Sequence, residues 1–582
     1  MNKQKSIVEV SSGSSLVEQN SHSQTGIPSI SKWRNFKDSF NRADKVSDLA
    51  AESTKLHLTD IERANLGTTG EDLHRKLKNR HIQMIALGGS IGTGLLVGSG
   101  KALYLGGPAA LLIAWGVVGT MVFCVVHALG ELCVAFPVNG AFSTYATRFV
   151  DSSWGFAIGW NYAMMWLFVF PLELVAAAMC LTFWNSDINP VSWVAIFYVI
   201  IVSINLFGVK GYGEAEFFLT IFKLIALVGF IILGVILVCG GGPTHEFIGN
   251  KNWKIGPFAN GFKGVASTFI TASYSLAGTE MVGLAAAEVD NPRKVLPVAI
   301  RQVFWRVFLF YFLTLTFIGL LVPHNHEDLL GGSGNNASPF VIAIKDAGIK
   351  ALPSIFNGCI LFAVVSVGNS SVFGCSRTIQ SLGAQGLAPV SFAYIDRKGR
   401  PLVALGISAL FGALCFLTAT GKQETVFNWL LSVAGLATIF AWFNIALCHF
   451  RFRRAMMIQK RSLDELVFTS VAGIWGSLYS MAFLILVLIV QFWVALFPLH
   501  NNGKPSAESF FQNYLGVFVI LIFYVGHKLY TRNWRIYLKS TEIDLDSGRK
   551  IVDVEVLQAE ILDEKEENRL KPIYIRLWNY WC

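Results

Sequence analysis

The sequence predicts an all-α polytopic membrane protein. It has twelve transmembrane helices in a five-plus-five inverted repeat, with helices 1 and 6 unwound. Three observations indicate this fold class: the composition, a series of apolar segments, and a matching pair of glycine-rich interruptions. Of the 582 residues, 53% are hydrophobic and only 15% are charged, whereas soluble proteins carry about 25% charged residues. The 16 Trp and 45 Phe are typical of lipid-facing surfaces and interfacial belts.

Several function classes do not fit this composition. The net charge of +9 does not indicate a nucleic-acid partner, because the basic residues fall in short loops between apolar segments. The first eighty residues contain no apolar run long enough for a signal peptide. The nine cysteines show no CxxC pair and no metal-ligand spacing. Since no nucleophile–base motif is present either, we expect no enzyme activity, no catalytic residues, no metal and no cofactor.

The chain divides into two polar tails and one apolar domain. Residues 1–80 are Ser-rich and aperiodic, which predicts a disordered N-terminal tail. Residues 81–530 contain the twelve spans, each near the ~20 residues that a bilayer requires. Residues 531–582 form a charged C-terminal tail, with a helix predicted at 553–568. The predicted spans are 82–102, 109–136, 157–183, 191–209, 216–239, 262–287, 299–322, 354–377, 402–419, 425–448, 469–497 and 511–530.

The distribution of Lys and Arg predicts the orientation of the chain. If both termini are cytoplasmic, the inner loops carry fourteen basic residues and the outer loops carry six. Positive charge concentrates in cytoplasmic loops of membrane proteins. We therefore expect both tails to be cytoplasmic.

Two spans contain segments that a continuous helix would not favour. Span 1 contains "GGSIGTGLLVGSG", with six glycines between residues 88 and 100, and span 6 contains "TASYSLAGTEMVG" at 271–283. Each glycine costs a helix about 1 kcal/mol relative to alanine. The glycines allow either close packing between helices or an interruption of the helix. Paired interruptions at matching positions are typical of transporters built from inverted repeats, and these two lie five spans apart.

An interrupted helix at mid-membrane predicts a particular kind of ligand. Free N–H groups at the start of a half-helix favour an anionic group, and free carbonyls on the facing half favour an ammonium group. One such site therefore suits a zwitterion, of which the α-amino acid headgroup is the commonest small example.

Three ionisable residues lie at mid-membrane depth, namely Glu173, Lys223 and Glu280. A charge at this depth costs at least about 2.5 kcal/mol, so such residues are functional candidates. A carboxyl group removed from water gains and loses a proton more readily near neutral pH, which proton coupling requires. Structural ion pairs are the alternative interpretation, and more so for Glu131, which is nearer an inner end.

Other residues could line a cavity. Met165 lies eight residues before Glu173 and therefore shares its helix face. Ser366 and Asn369 in span 8, and Ala434 in span 10, belong to stretches of small and polar residues within apolar spans. Interhelical hydrogen bonds are an equally ordinary role for the polar ones.

The motifs resemble those of the fungal amino acid permeases of the amino acid–polyamine–organocation superfamily, and most closely the general amino acid permeases of yeasts. They include "HIQMIALGGSIGTGLLVGSGKAL", "INLFGVKGYGEAEF", "AAAEVDNPRKVLPVAI", "SVGNSSVFGCSRTIQSLGAQGLAP" and the terminal "WNYWC". The resemblance covers about residues 72–582. It implies a LeuT-like fold, a plasma-membrane location, and import of L-amino acids together with protons.

The resemblance also implies roles for individual residues. The substrate carboxylate would bind at Thr93 and Gly94, and the ammonium at carbonyls near Ser90 and Tyr274. Lys223 would replace a sodium ion of sodium-coupled relatives, and Glu173 and Glu280 would take part in proton coupling. Leu276 stands where many relatives have an aromatic residue, which favours neutral or varied substrates. The implied substrate-binding set is Ser90, Ile91, Gly92, Thr93, Gly94, Met165, Tyr274, Ser275, Leu276, Ala277, Gly278, Ser366, Asn369 and Ala434.

The tails carry candidate modification sites. The lysines at 3, 5, 32, 37 and 45 resemble ubiquitin acceptors, which would make a ubiquitin ligase a partner. Cys582 follows aromatic residues at the end of the chain, where palmitoylation and an unmodified thiol are equal alternatives. Asn336 lies in a sequon that is followed by a proline.

Two other functions remain open from the sequence. The chain could be an amino-acid sensor built on a transporter fold, although such sensors usually have a longer N-terminal extension. It could also be a permease restricted to one amino acid, an amino-acid derivative or a polyamine.

Overall fold

The computed structural model describes residues 38–42, 61–62, 77, 79–138, 140–184, 188–289, 291–331, 338–420, 423–499, 501, 503–547, 549, 554–573 and 575–576. The chain divides into two compact units, 1–41 and 42–582. In the first unit the N–H of Asn41 donates to the carbonyl of Asp38 at 3.2 Å. The tail lysines named above, Asn336 and Cys582 lie outside the described residues.

The second unit is built from α-helices, and its described residues contain isolated β-bridges but no β-strand. The helices of the first half are α1 (Asn79–Ser90), α2 (Thr93–Leu96), α3 (Gly98–Gly106), α4 (Pro108–Ala135), α5 (Ala141–Phe149), α6 (Ser152–Thr182), α7 (Pro190–Leu206), α8 (Gly208–Val238) and α9 (Lys251–Ile255). Those of the second half are α10 (Gly261–Leu276), α11 (Met281–Ala285), α12 (Pro292–Leu321), α13 (Asp328–Gly331), α14 (Pro339–Asp346), α15 (Leu352–Ala384), α16 (Leu402–Gly412), α17 (Gln423–Ile458), α18 (Gly473–Leu496), α19 (Ala507–Thr531) and α20 (Val554–Leu570).

Eight helical segments among the described residues are long and apolar enough to cross a bilayer, which makes the chain a multi-pass membrane protein. They are α4, α6, α8, α15, α16 with the 3₁₀ turns that continue it to Thr420, α17, α18 and α19. Two more predicted spans correspond to shorter apolar helices, α7 and the Phe308–Leu321 part of α12. The two predicted spans that remain are spans 1 and 6, which contain the glycine-rich segments.

The helices differ in how much of their surface the protein itself covers. In the most apolar 18-residue stretch of α6, 83% of the residues are buried inside the protein, whereas the same share is 11% for α19. Helices α15 and α17 are also mostly buried, and α8 and α18 are mostly exposed. The exposed apolar side chains of the outer helices are suited to lipid, and the buried helices form the interior in which a solute site can lie.

Both glycine-rich spans are interrupted, as the sequence predicts. Helix α1 ends at Ser90 and α2 starts at Thr93, while α10 ends at Leu276 and α11 starts at Met281. Close packing coincides with the interruptions. Gly278 has a φ of +94°, and a Cβ atom on it would lie 2.4 Å from the carbonyl oxygen of Gly89. Both interpretations of the glycines are therefore correct, because the two breaks pack directly against each other.

The segment between α19 and α20 lies against the ends of other helices. The N–H of Leu538 donates to the carbonyl of Val150 at 2.8 Å. The guanidinium of Arg148, buried at the end of α5, donates twice to the carbonyl of Asp544, at 2.9 and 3.0 Å. Helix α20 agrees with the helix predicted at 553–568, whereas the sequence did not predict these attachments.

A candidate cavity between two interrupted helices

A cavity lies where the breaks of the two interrupted helices meet α6, α15 and α17. Its lining is mixed, with backbone and hydroxyl groups from the breaks on one side and larger apolar side chains on the other. The lining residues are Gly89, Ser90, Gly92, Thr93, Gly94, Met165, Trp166, Val169, Glu173, Tyr274, Ala277, Val367 and Thr438.

Glu173 supplies the carboxyl group of the cavity. The Thr93 hydroxyl donates to its Oε1 at 2.7 Å, and the Tyr274 hydroxyl donates to the same oxygen at 3.4 Å. Its second oxygen, Oε2, is buried and accepts no hydrogen bond from the described residues. A buried carboxyl oxygen without a donor is costly, so this atom is suited to a proton or to a bound donor.

Tyr311 connects the two breaks from outside the cavity. Its hydroxyl lies 2.6 Å from the carbonyl oxygen of Ser90 and 2.6 Å from that of Ser275. These carbonyls would otherwise lack the partners that a continuous helix provides. The fully buried tyrosine of α12 thus stabilises both unwound segments at once. No sequence motif pointed to this role.

Lys223 and Glu280 stabilise the same region. The ammonium of Lys223, on α8, donates to the carbonyl of Gly88 near the end of α1. A cation is favoured at that end of a helix, where the last carbonyls lack partners. The Oε2 atom of Glu280 accepts from the N–H of Gly278 at 3.0 Å and from the indole of Trp442 at 3.2 Å.

Half of the predicted substrate-binding residues line the cavity. These are Ser90, Gly92, Thr93, Gly94, Met165, Tyr274 and Ala277. The carbonyls expected to receive an ammonium already accept bonds, since that of Tyr274 accepts from the N–H of Ala277 at 3.1 Å and that of Ser90 accepts from Tyr311. Each carbonyl oxygen has a second lone pair.

The other seven predicted substrate-binding residues lie near the cavity but do not line it. Ile91, Ser275 and Gly278 belong to the packed breaks, while Leu276 faces a separate apolar pocket beside Tyr311. Ala434 is buried one turn before Thr438 and its carbonyl accepts from that hydroxyl. Ser366 and Asn369 instead contact Glu216, a buried carboxyl that the sequence reasoning did not select.

The cavity also contains five residues that sequence reasoning missed, namely Gly89, Trp166, Val169, Val367 and Thr438. Helical spacing could have found two of them. Val169 lies midway between Met165 and Glu173, four residues from each, and Thr438 lies four residues after Ala434. The Thr438 hydroxyl contacts the sulfur of Met165 at 3.2 Å. Val367 is adjacent to the predicted Ser366 but on a different face of α15.

Glu131 is explained by a structural ion pair. Its side chain is fully buried in α4, and its Oε1 lies 2.6 Å from Nε of Arg453 on α17. The N–H of Ser470 donates to its other oxygen at 2.6 Å. Glu131 therefore connects α4, α17 and the segment before α18, away from the cavity.

Comparison with known proteins gives consistent matches over most of the chain. Residues 81–539 match the model of the family described as "Amino acid permease". The chain is 69% identical to amino-acid permease GAP3 of Candida albicans over 95% of each chain. It is 51% identical to the general amino-acid permease GAP1 of Saccharomyces cerevisiae, over 95% of this chain and 92% of that one.

A relative that is named for a single amino acid is about as similar to the chain as GAP1 is. The tryptophan permease of Saccharomyces cerevisiae is 52% identical over 88% of this chain and 87% of its own length. These relatives are permeases and not enzymes. With a family model that covers most of its length, the chain belongs to the amino acid permease family.

Proposed function

We propose that the protein imports L-amino acids across the plasma membrane by proton symport, with broad specificity. The observation that carries this proposal is the contact between Thr93 and Glu173 in the wall of the cavity. It joins a residue at the break of the first interrupted helix to a buried carboxyl group, so that solute and proton can be bound side by side.

The break can recognise the headgroup of an amino acid. The first N–H groups of a helix have no acceptor within it, and those of Thr93 and Gly94 open α2 at the cavity. These donors suit the substrate carboxylate. Carbonyls of the breaks, among them those of Ser90 and Tyr274, each retain a lone pair that suits the ammonium.

Proton coupling follows from the position of Glu173. A substrate carboxylate at Thr93 would lie next to the carboxyl of Glu173, and two negative charges this close disfavour each other. The substrate is therefore bound best when Glu173 is protonated. Once the proton leaves, the two carboxylates repel each other and the substrate is released more easily.

Lys223 makes a metal cation unnecessary in this scheme. Its ammonium occupies the end of α1 through the carbonyl of Gly88, which is where the family resemblance places a sodium ion in sodium-coupled relatives. Glu280 holds the second break through Gly278, and we include it among the candidates for proton coupling.

The helices support a chain that crosses the membrane twelve times. Eight long apolar segments, two shorter ones and the two interrupted spans account for the twelve predicted crossings. An even number places both termini on one side, and the excess of basic residues in the inner loops favours the cytoplasm. The interruptions lie five spans apart, which supports the inverted repeat, and the proposed transporter domain keeps the limits of 81 and 530.

The lining of the cavity supports neutral substrates of varied size. Met165, Trp166, Val169 and Val367 are apolar, and Glu173 is the one charged side chain among the lining residues. The names of the relatives include a general permease and a tryptophan permease at nearly equal identity, so identity alone does not separate broad from narrow specificity.

The test is uptake of radiolabelled amino acids into cells that lack their own permeases. Uptake is measured at acidic and neutral external pH, with and without an uncoupler. We expect several neutral amino acids to enter, faster at acidic pH, and the uncoupler to abolish accumulation. Uptake of a single solute would contradict broad specificity, and accumulation that resists the uncoupler would contradict symport. No uptake by protein confirmed at the surface would favour the sensor.

A further inference from the structure

We propose that Glu216, on α8, is a second proton-carrying carboxyl group of this transporter, and that it receives the coupling proton from Glu173 by way of Lys223. The inference rests on the proposed function, because it concerns the route of the proton that symport requires. Glu216 does not line the cavity. It is also not among the coupling residues that the sequence predicts.

The surroundings of Glu216 suit a carboxyl group that changes its protonation state. The side chain is fully buried. The Ser366 hydroxyl donates to its Oε1, and the Asn369 amide donates to its Oε2 at 3.4 Å. A hydroxyl can donate to a carboxylate or accept from a carboxylic acid, so the contact with Ser366 can persist in both states.

Glu216 and Lys223 meet at one residue of α1. The ammonium of Lys223 donates to the carbonyl oxygen of Gly88. A Cβ atom placed on Gly88 would lie 2.1 Å from Oε1 of Glu216, so the carboxyl occupies the space that a side chain would need. The two ionisable groups therefore approach the same backbone unit from the same helix.

The charges of this region do not balance unless one proton is shared. Lys223 interacts electrostatically with both Glu216 and Glu173, so one ammonium serves two carboxyl groups. Tyr212 on α8 also interacts with Glu216 but stays neutral at physiological pH. Arg377, which interacts with Tyr212, is already paired with Glu288 at 3.0 Å and so does not balance the charge of Glu216. A buried charge without a partner is strongly unfavourable, which favours one protonated carboxyl of the two.

A short stretch of α15 separates the two carboxyl groups. A Cβ atom on Gly368 would lie 3.4 Å from the Cβ of Glu173, while Ser366 and Asn369 contact Glu216. Only Glu173 of the two faces the cavity. A proton taken up with the substrate therefore starts at Glu173, and Glu216 lies on the side toward Gly208, which the proposed topology makes cytoplasmic.

Among the described residues the ammonium of Lys223 contacts the carbonyl of Gly88 and is ion-paired with neither carboxyl group, so the transfer needs the lysine side chain to approach each carboxyl group in turn. The ammonium of Lys223 gives a proton to the carboxylate of Glu216, and the resulting amine takes the proton of the Glu173 carboxylic acid. Lys223 is again an ammonium, Glu173 is a carboxylate, and Glu216 is a carboxylic acid. The net charge is unchanged, and the repulsion between Glu173 and the substrate carboxylate begins at this point.

The test compares two modes of transport by the purified full-length protein in liposomes. One is accumulation driven by an imposed pH difference, and the other is exchange of labelled for unlabelled amino acid without a gradient. One coupled proton can sustain about tenfold accumulation per pH unit. We expect Glu216→Gln to lose this tenfold accumulation and to keep exchange within about twofold of the wild type.

Glu214→Gln is the matched control. Glu214 lies two residues earlier on α8, is partly exposed, and is paired with Arg80 at 2.8 Å. It should accumulate substrate as the wild type does. If the wild type itself shows no accumulation under the pH difference, the proposed symport is wrong. If the wild type and Glu216→Gln accumulate equally, symport stands and the role of Glu216 is wrong.

A conservative variant covers the case in which Glu216→Gln loses exchange as well. Glu216→Asp keeps an ionisable group, and recovery of accumulation and exchange in this variant would support proton carriage. If both variants lose both modes, Glu216 is needed for the fold alone and the inference is overturned.

Discussion

Gly94 and Ser275 bring the two interrupted helices into direct backbone contact. A Cβ atom placed on Gly94 would lie 2.6 Å from the Cα atom of Ser275, which leaves no room for any side chain. Gly94 also lines the cavity. The glycine therefore serves two purposes, since it opens α2 at the site and allows α10 to pack against it.

Replacement of Gly94 tests this contact. We expect Gly94→Val to reduce amino acid uptake at least about fivefold, because overpacking of such a contact costs about 1–3 kcal/mol. Uptake should be normalised to protein at the cell surface. Gly229→Val is the control, since no atom outside the adjoining backbone of its own helix lies within 4 Å of a Cβ placed on Gly229. Normal uptake by Gly94→Val would contradict the packed break.

Removal of one hydroxyl tests the link between the breaks. Tyr311→Phe removes the single hydroxyl proton that the carbonyls of Ser90 and Ser275 share, and a buried carbonyl left unsatisfied costs about 1–3 kcal/mol. We expect a lower melting temperature and slower uptake. Tyr198→Phe is the control, because Tyr198 makes a comparable bond to the carbonyl of Ala409 at 2.8 Å. Equal effects of the two substitutions would contradict the proposal that Tyr311 stabilises the two breaks.

Neutralisation of Glu173 tests proton coupling at the cavity. Glu173→Gln retains the shape of the side chain but cannot release a proton. We expect uptake that no longer rises as the external pH falls, measured as the ratio of uptake at acidic and neutral pH. Glu246→Gln, at an exposed position between α8 and α9 that is paired with Lys251, should keep the wild-type ratio. An unchanged ratio in Glu173→Gln would rule out this role.

Enlargement of the cavity tests specificity. Val367 lines the cavity and lies 2.6 Å from a Cβ position on Gly92. We expect Val367→Ala to raise uptake of bulky amino acids relative to alanine at least about fivefold, because one or two methylenes in a pocket are worth about 1–3 kcal/mol. Val372→Ala removes the same atoms from a buried position of α15 outside the cavity. Its substrate ratio should equal that of the wild type.

The attachment of the C-terminal segment should resist mild acid. Arg461 and Arg549 donate to Glu465 at 2.8 Å and lower the pKa of its carboxyl to about 2, against burial that raises it. A lowered pKa contributes stability above the ordinary value of 4.5, and this is lost only as the pH falls through about 2. We expect proteolysis of residues 532–549 to be unchanged between neutral pH and about pH 5.

Glu465→Gln provides the comparison at neutral pH. It should increase cleavage a few-fold, a modest effect because partly exposed ion pairs contribute about 0–1 kcal/mol. Glu542→Gln, which alters a pair within the segment itself, is the control. Cleavage that rises already at pH about 6 would show that another group holds the segment.

Much of this architecture could be predicted from local properties of the sequence. The apolar segments and the clusters of glycine identify the membrane helices and both interruptions, because bilayer thickness and the helical cost of glycine act on each segment by itself. The eight-residue spacing from Met165 to Glu173 likewise places both on one face of a regular helix.

The rotation of buried helices could not be predicted in this way. Helix α15 is buried on nearly all sides, so its sequence has no polar face to indicate which residues meet the cavity. The sequence pointed to Ser366 and Asn369 as cavity residues, whereas the structure presents Val367 to the cavity and turns those two toward Glu216.

The sequence by itself determined a set of membrane helices, two of them interrupted, and a carboxyl group near the middle of the membrane. Only the tertiary structure decided that Tyr311 joins the breaks and that Lys223 and Glu216 meet at Gly88. These contacts join residues more than a hundred positions apart, or depend on how one helix is turned against another. Such relationships are set by packing among all the helices together, which no single segment encodes.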